Sequence, residues 1–206
     1  MLMVILGGII MTSNKLSIAF GVTGAYHQLE TALQKCREIE KQGHEVTPVL
    51  SPSVSNISTK FGSGNYWYTN FQKVTKRPPI TDIVGAEPFG PHDLSDLMVI
   101  LPCTGATLAR IANGLNEHSV SLAAKAHLRT QKPIIIAVST NDGLSLNSTN
   151  IAKLLNMSNV YFVPFGQDNP VNKPDSLMSD FRLLWDSVEC ALKGEQLQPV
   201  LKEFSN

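Results

Sequence analysis

The sequence predicts an α/β fold in three layers, with helices on both faces of a central parallel sheet. Short β-leaning runs alternate with stretches of helical periodicity, the pattern of strands joined by crossover helices. Two runs, 97–101 and 133–138, are apolar almost throughout, as strands covered on both faces are. Several of the runs end in small or hydroxyl residues that lead straight into the next helical pattern. A length of 206 residues suits one Rossmann-like domain.

The first run, 16–20, passes through Gly21-Val-Thr-Gly-Ala25 into a helix whose face is Leu29, Leu33, Cys36 and Ile39. Gly43 ends that helix, and 44–50 reads as the second strand, closed by the hydroxyl-rich loop from Ser51 to Ser55. Between 56 and 91 the pattern weakens under repeated Gly and Pro, so this stretch is expected to be an insertion or lid within the domain spanning 15–206. Its aromatic residues Phe61, Tyr66, Trp67, Tyr68 and Phe71 have little local helix or strand to bury them, which suggests burial against a neighbouring protomer. The third strand, 97–101, runs into Pro102-Cys-Thr-Gly-Ala-Thr107 and a helix carrying Leu108, Ile111, Ala112 and Leu115. A helix over 121–129, a strand over 133–138 ending in Ser139-Thr-Asn141, a short helix at 151–155 and a strand at 160–163 follow. A last helix is expected from Pro174-Asp-Ser176, striped by Leu177, Phe181, Leu184 and Val188.

Composition narrows the function. An apolar fraction of 43% and balanced charge, 17 basic against 17 acidic residues, describe a globular protein without the basic field that holds nucleic acid. Three widely spaced cysteines offer neither a C-x-x-C redox pair nor a metal-ligand set, so no metal is expected and a reducing cytoplasm fits. The apolar start, residues 1–11, is too short to span a bilayer and lacks a basic leader; Met11 is a second plausible start, and 1–14 reads as an N-terminal extension.

In open α/β sheets the ligand crevice lies beyond the carboxyl ends of the strands. Three such ends, at Gly21–Gly24, 102–107 and 139–141, combine backbone N–H groups with hydroxyls and no bulk. The first two open helices, whose positive ends favour a phosphate. The first loop lacks the third glycine of a dinucleotide fingerprint and no Walker lysine is present, so a mononucleotide is favoured.

The run from Pro102 to Gly114 resembles a motif of the flavoprotein superfamily that includes peptidyl-cysteine decarboxylases, phosphopantothenoylcysteine decarboxylase and flavin prenyltransferase. Two further stretches, 137–147 and 161–168 followed by 173–177, are similar to the family of dipicolinate synthase B subunits. That resemblance implies FMN as cofactor, its phosphate against Thr23, Gly24 and Ala25 with Ser51 as partner. It implies Thr104, Gly105 and Thr107 along the phosphate and ribityl side, and Ser139, Thr140 and Asn141 near the ring. It further implies an oxidoreductase component in sporulation, working on dihydrodipicolinate with the A subunit of dipicolinate synthase, which binds NAD(P), and a homo-oligomer, trimeric or dodecameric. Ala106 stands where decarboxylases of the superfamily carry Asn, and the position of their catalytic His falls on Pro88 rather than His92. No catalytic residue is therefore assigned. The departures leave open a non-catalytic nucleotide-binding partner or an FMN-dependent decarboxylase or flavin-modifying enzyme. Cys103, beside a helix start, is a candidate low-pKa thiol or a small packing residue. Lys60, Arg110 and Lys125 are candidate carboxylate partners for the substrate.

Overall fold

The computed structural model describes residues 15–92 and 94–202, so the 1–14 extension lies outside the described residues. Among these residues seven strands, β1 (Ser17–Val22), β2 (Glu45–Leu50), β3 (Leu97–Cys103), β4 (Ile134–Thr140), β5 (Val160–Phe162), β6 (Phe165–Gln167) and β7 (Leu177–Ser179), form one sheet. β2, β1, β3, β4 and β5 run parallel in that spatial order. Beyond the end of β5, the carboxyl end of β4 pairs instead with β7, antiparallel through Ser139–Met178 and Thr140–Leu177, and β7 pairs with β6. This is the three-layer sandwich that the alternating pattern predicts.

Among the described residues eight α-helices cover the sheet: α1 (Leu29–Lys41), α2 (Pro52–Ser55), α3 (Gly64–Thr75), α4 (Ile83–Ala86), α5 (Gly105–Ala112), α6 (Ser119–Arg129), α7 (Ser148–Leu155) and α8 (Leu184–Ala191). Alternate side chains of β3 feed two cores: Leu97, Val99 and Leu101 face α1, α3 and α8, while Met98 and Ile100 face α5, α6 and α7. The β3–β4 register shifts between Ile100 and Cys103, and Cys103 joins the core under α5 and α6. Burial pushes its thiol far above the ordinary range, so Cys103 is a packing residue, and the low-pKa alternative fails because no charge offsets the desolvation.

Two expectations are corrected. The stripe Leu177, Phe181, Leu184, Val188 does not lie on one helix: Leu177 belongs to strand β7, a 3-10 turn spans Phe181–Leu183, and α8 begins at Leu184. Pairing with the end of β4 overrides the local helical period. Within 56–91, α3 is capped by the Ser63 hydroxyl, which accepts from the Tyr66 N–H at 3.1 Å. Trp67 and Phe71, four residues apart on α3, are buried against α1 in the chain's own core rather than awaiting a neighbour. Helix α3 can start there because Gly64 has no side chain: a Cβ would lie 1.8 Å from the Ser55 carbonyl oxygen. Phe61 and Tyr66 remain exposed.

Candidate functional site

The carboxyl ends of β1, β3 and β4 converge on a cleft of about 400 Å³. Its floor is made by buried Ala25, Ser139, Ser176 and Leu177, its walls include Gly24, Tyr26, Thr104, Thr140 and Met178, and Lys60, Asp168 and Lys173, together with His27, are exposed around the rim. The uncharged interior combines hydroxyls with the apolar Ala25, Leu177 and Met178, and its hydroxyl share follows from topology, since small and hydroxyl residues end all three strands.

Hydroxyls tie the strand ends together. Thr23, buried at the end of β1, donates to the Pro102 carbonyl at 2.7 Å and accepts the Thr104 N–H at 3.0 Å. With its proton used, Thr23 is a latch between two loops. Thr104 Oγ1 lies 3.3 Å from Thr23 Oγ1 and 3.2 Å from Thr107 Oγ1, and the Thr104 carbonyl receives the Thr107 and Leu108 N–H groups that start α5. Ser51, also buried, pairs with the Ser53 hydroxyl at 2.9 Å behind the Gly24 loop. Of the ten residues suggested by the sequence, Gly24, Ala25, Thr104, Ser139, Thr140 and Asn141 line the cleft, whereas Thr23, Ser51, Gly105 and Thr107 support it from behind.

Gly105 serves a different neighbour from the one expected. A Cβ there would fall 2.5 Å from Asn147 Nδ2 and 2.6 Å from both Asp142 Oδ1 and Thr140 Oγ1. Asp142 accepts from the Thr140 hydroxyl at 2.5 Å and from the Asn147 amide at 2.9 Å, so the amino end of α5 already has a carboxylate beside it, a favourable pairing with the helix dipole. The chain of amides continues from Asn147 to Asn150, Asn113 and Lys153, fixing α5 against α7. Thr140, its proton committed to Asp142, presents the cleft with a hydrogen-bond acceptor.

Sequence reasoning missed Tyr26, His27, Phe61, Asp168, Lys173, Ser176, Leu177 and Met178 as lining residues. Tyr26 is fixed by donation to the Ser53 carbonyl at 2.9 Å, and Ser176 by donation to the Thr140 carbonyl at 3.2 Å. Of the three candidate carboxylate partners only Lys60 reaches the cleft. Arg110 is engaged with Glu117 at 2.9 Å, and both Arg110 and Lys125 border a separate hollow between α5 and α6. His92 is exposed in the turn before β3, at the amino end of the strand and so opposite the cleft.

FMN is a fair test of this cleft. The Gly24–Ala25 loop offers backbone without bulk, and a Cβ on Gly24 would meet Ser53 Oγ at 2.8 Å. The Gly24 N–H and the Ser139 hydroxyl find no partner among the described residues, leaving donors for a phosphate or a ribityl chain. The residues present fit the group. Among the described residues no cluster of metal-ligating side chains occurs, and no helix is long and apolar enough to cross a membrane.

An α/β sandwich with a small-residue, hydroxyl-bearing cleft at the ends of its parallel strands suits a flavoprotein, and residues 11–189 match the sequence model of the Flavoprotein family. The dipicolinate synthase B subunit of Bacillus subtilis is 40% identical over 186 residues, covering 90% of this chain and 93% of that protein. The crystal structure of the dipicolinate synthase B subunit from Bacillus halodurans, also 40% identical, covers 92% of this chain and 97% of its own with a TM-score of 0.84. A dodecameric FMN-dependent UbiX-like decarboxylase from Escherichia coli shares the fold at 20% identity, over 72% of this chain and 79% of that one, with a TM-score of 0.60. The chain belongs to the flavoprotein family and, within it, to the dipicolinate synthase B subunits.

Proposed function

We propose that this chain binds FMN in the cleft at the strand ends and, with an A-type partner that supplies the NAD(P) site, oxidises dihydrodipicolinate to pyridine-2,6-dicarboxylate during sporulation. The observation that carries the reading is identity of 40% sustained across nine-tenths of both chains with a protein named as that enzyme's B subunit. Bound FMN would supply two-electron redox chemistry that no side chain here provides.

The chain's own residues have positioning roles. Gly24 and Ala25 admit a phosphate to backbone donors. Thr104 and Ser139 offer hydroxyls on the side walls and floor, and Thr140, proton committed, accepts from a donor on the ligand. Asn141 lies at the edge with both amide functions unengaged among the described residues. Homo-oligomer formation, as in the dodecameric decarboxylase, belongs to the same proposal, and light scattering that returned a monomer near 22.5 kDa would contradict it.

The decarboxylase and thiol-chemistry readings lose support from this chain's residues: Ala106 replaces the amide, Cys103 is sealed in the core and Pro88 occupies the position of the catalytic His. Mixing this chain with its purified A-type partner, dihydrodipicolinate and NAD(P) should raise the ultraviolet absorption of the aromatic product. Unchanged output when this chain is omitted would overturn the proposal and leave it as a non-catalytic partner.

A further inference from the structure

We infer that the tip of the turn at 59–62 and Lys173 together form a clamp for a planar ring carrying two carboxylates, resting on the dipicolinate synthase reading above. The turn is held by two reciprocal backbone bonds, Thr59 N–H to the Gly62 carbonyl at 3.0 Å and Gly62 N–H to the Thr59 carbonyl at 3.1 Å. It is further fixed by the Phe61 N–H, which donates to the Thr59 hydroxyl at 3.1 Å. Gly62 permits the geometry, since its φ of +136° is one that side-chain-bearing residues rarely adopt. The result is a rigid two-residue tip bearing Lys60 and Phe61, both exposed and both lining the cleft.

An exposed phenylalanine on a short turn over a polar cleft has no core to join. The Lys60 ammonium lies over the Phe61 ring, 5.2 Å from its centre, so the cation covers one face of the ring and the tip presents a charge and an aromatic surface together. Lys173 borders the same cleft from the segment between β6 and β7. Neither lysine is in an ion pair among the described residues, while the other charged or titratable rim residues are Asp168 and His27. Two ammonium groups against one carboxylate select an anion, the aromatic face selects a flat ring, and two separate cations distinguish a dicarboxylate from a monocarboxylate. The hydroxyl-lined floor is uncharged and suits a different ligand portion, so the rim residues are placed to set substrate specificity.

The experiment is isothermal titration of the FMN-supplemented chain with pyridine-2,6-dicarboxylate and with pyridine-2-carboxylate, in buffer stripped of divalent metal. Lys60→Ala, Lys173→Ala and Phe61→Ala are compared with the parent, and FMN binding is titrated separately for each. The parent should bind the dicarboxylate at least tenfold more tightly than the monocarboxylate. Each lysine variant should lose about tenfold for the dicarboxylate, little for the monocarboxylate and little for FMN, and Phe61→Ala should weaken both pyridine ligands. Dicarboxylate binding that survives all three substitutions overturns the clamp while leaving the function proposal standing. Loss of FMN binding in the lysine variants with no change for the dicarboxylate also overturns it, because the cations would then serve the flavin. No dicarboxylate binding by the parent overturns the clamp outright, and the two-component activity assay then decides the function reading separately.

Discussion

Replacing Gly105 with alanine adds one methyl group to the start of α5 at the point where three polar atoms converge. The new carbon would stand 2.5 Å from Asn147 Nδ2 and 2.6 Å from Asp142 Oδ1 and Thr140 Oγ1, inside the 3.0 Å that real Cβ contacts essentially never breach. Either α5 moves off the sheet or the Asp142 cluster opens. Overpacking of this kind costs about 1–3 kcal/mol, and losing a hydrogen bond to the Asp142 carboxylate costs about 1.5–3 kcal/mol. One displacement causes both effects, so they overlap rather than add, and a loss of about 3 kcal/mol is expected. In a chain of this size that corresponds to a fall of about 6–12 °C in Tm. Urea denaturation followed by circular dichroism measures it, with Gly43→Ala as a comparison: Gly43 has φ of +93° and nothing within 4 Å of a Cβ, so only backbone strain of about 1 kcal/mol applies. In an Asp142→Ala background the Gly105 penalty should drop by at least half. A penalty below about 0.5 kcal/mol, or one unchanged when Asp142 is gone, would refute the packing argument.

Other expectations follow from the same geometry. Thr23→Val leaves the Pro102 carbonyl and the Thr104 N–H without their buried partner and should cost about 2–4 kcal/mol in denaturant titration. The Asp180 carboxyl is held well below the usual carboxylate range, first by hydrogen bonds from Arg182 and then by Lys202. A depressed carboxyl stabilises the fold above its unfolded pKa of about 3.9 and loses that contribution as pH falls toward the folded value. Thermal melts from pH 6 down to pH 2 should therefore show a steeper fall in Tm for the parent than for Asp180→Asn, and parallel curves would contradict the pairing. Burial pushes the Cys36 and Cys103 thiols far up, whereas Cys190 is partly exposed, so mass spectrometry after brief native alkylation should find the label on Cys190 alone.

Strands β3 and β4 were legible as continuous apolar runs and β1, β2 and β5 as short β-leaning runs alternating with helical patterns, and the crevice at their ends followed from topology. Strands β6 and β7 were not, since three residues carry little pattern and Leu177, Phe181, Leu184 and Val188 satisfy a helical period by accident of spacing. The ladder from Leu177 to Thr140 exists only once β4 is in place. Helix α3 was hidden by Gly64 at its start and by Tyr66, Trp67 and Tyr68, residues common in strands; the usable signal was Trp67 with Phe71 four positions later behind the Ser63 cap. The inner wall of the cleft was readable from Gly24, Thr104 and Ser139, which stand at the carboxyl ends of strands. Its rim was not, because Lys60, Phe61 and Lys173 come from turns whose placement depends on distant packing. Thr23 and Gly105 were picked out for ligand contact, yet their hydroxyl and missing side chain serve neighbouring loops, a distinction that needs coordinates.

The central claim is that the strand-end cleft binds FMN, and titrating the chain into FMN while following flavin fluorescence tests it most directly. Saturable quenching at one FMN per chain is predicted, with affinity about tenfold to a hundredfold weaker for Thr104→Val, the loss of about 1.5–3 kcal/mol from one hydrogen bond to a charged group. Absence of saturable quenching by the parent, or a Thr104→Val variant that folds normally and binds FMN as tightly as the parent, would contradict this placement of the flavin.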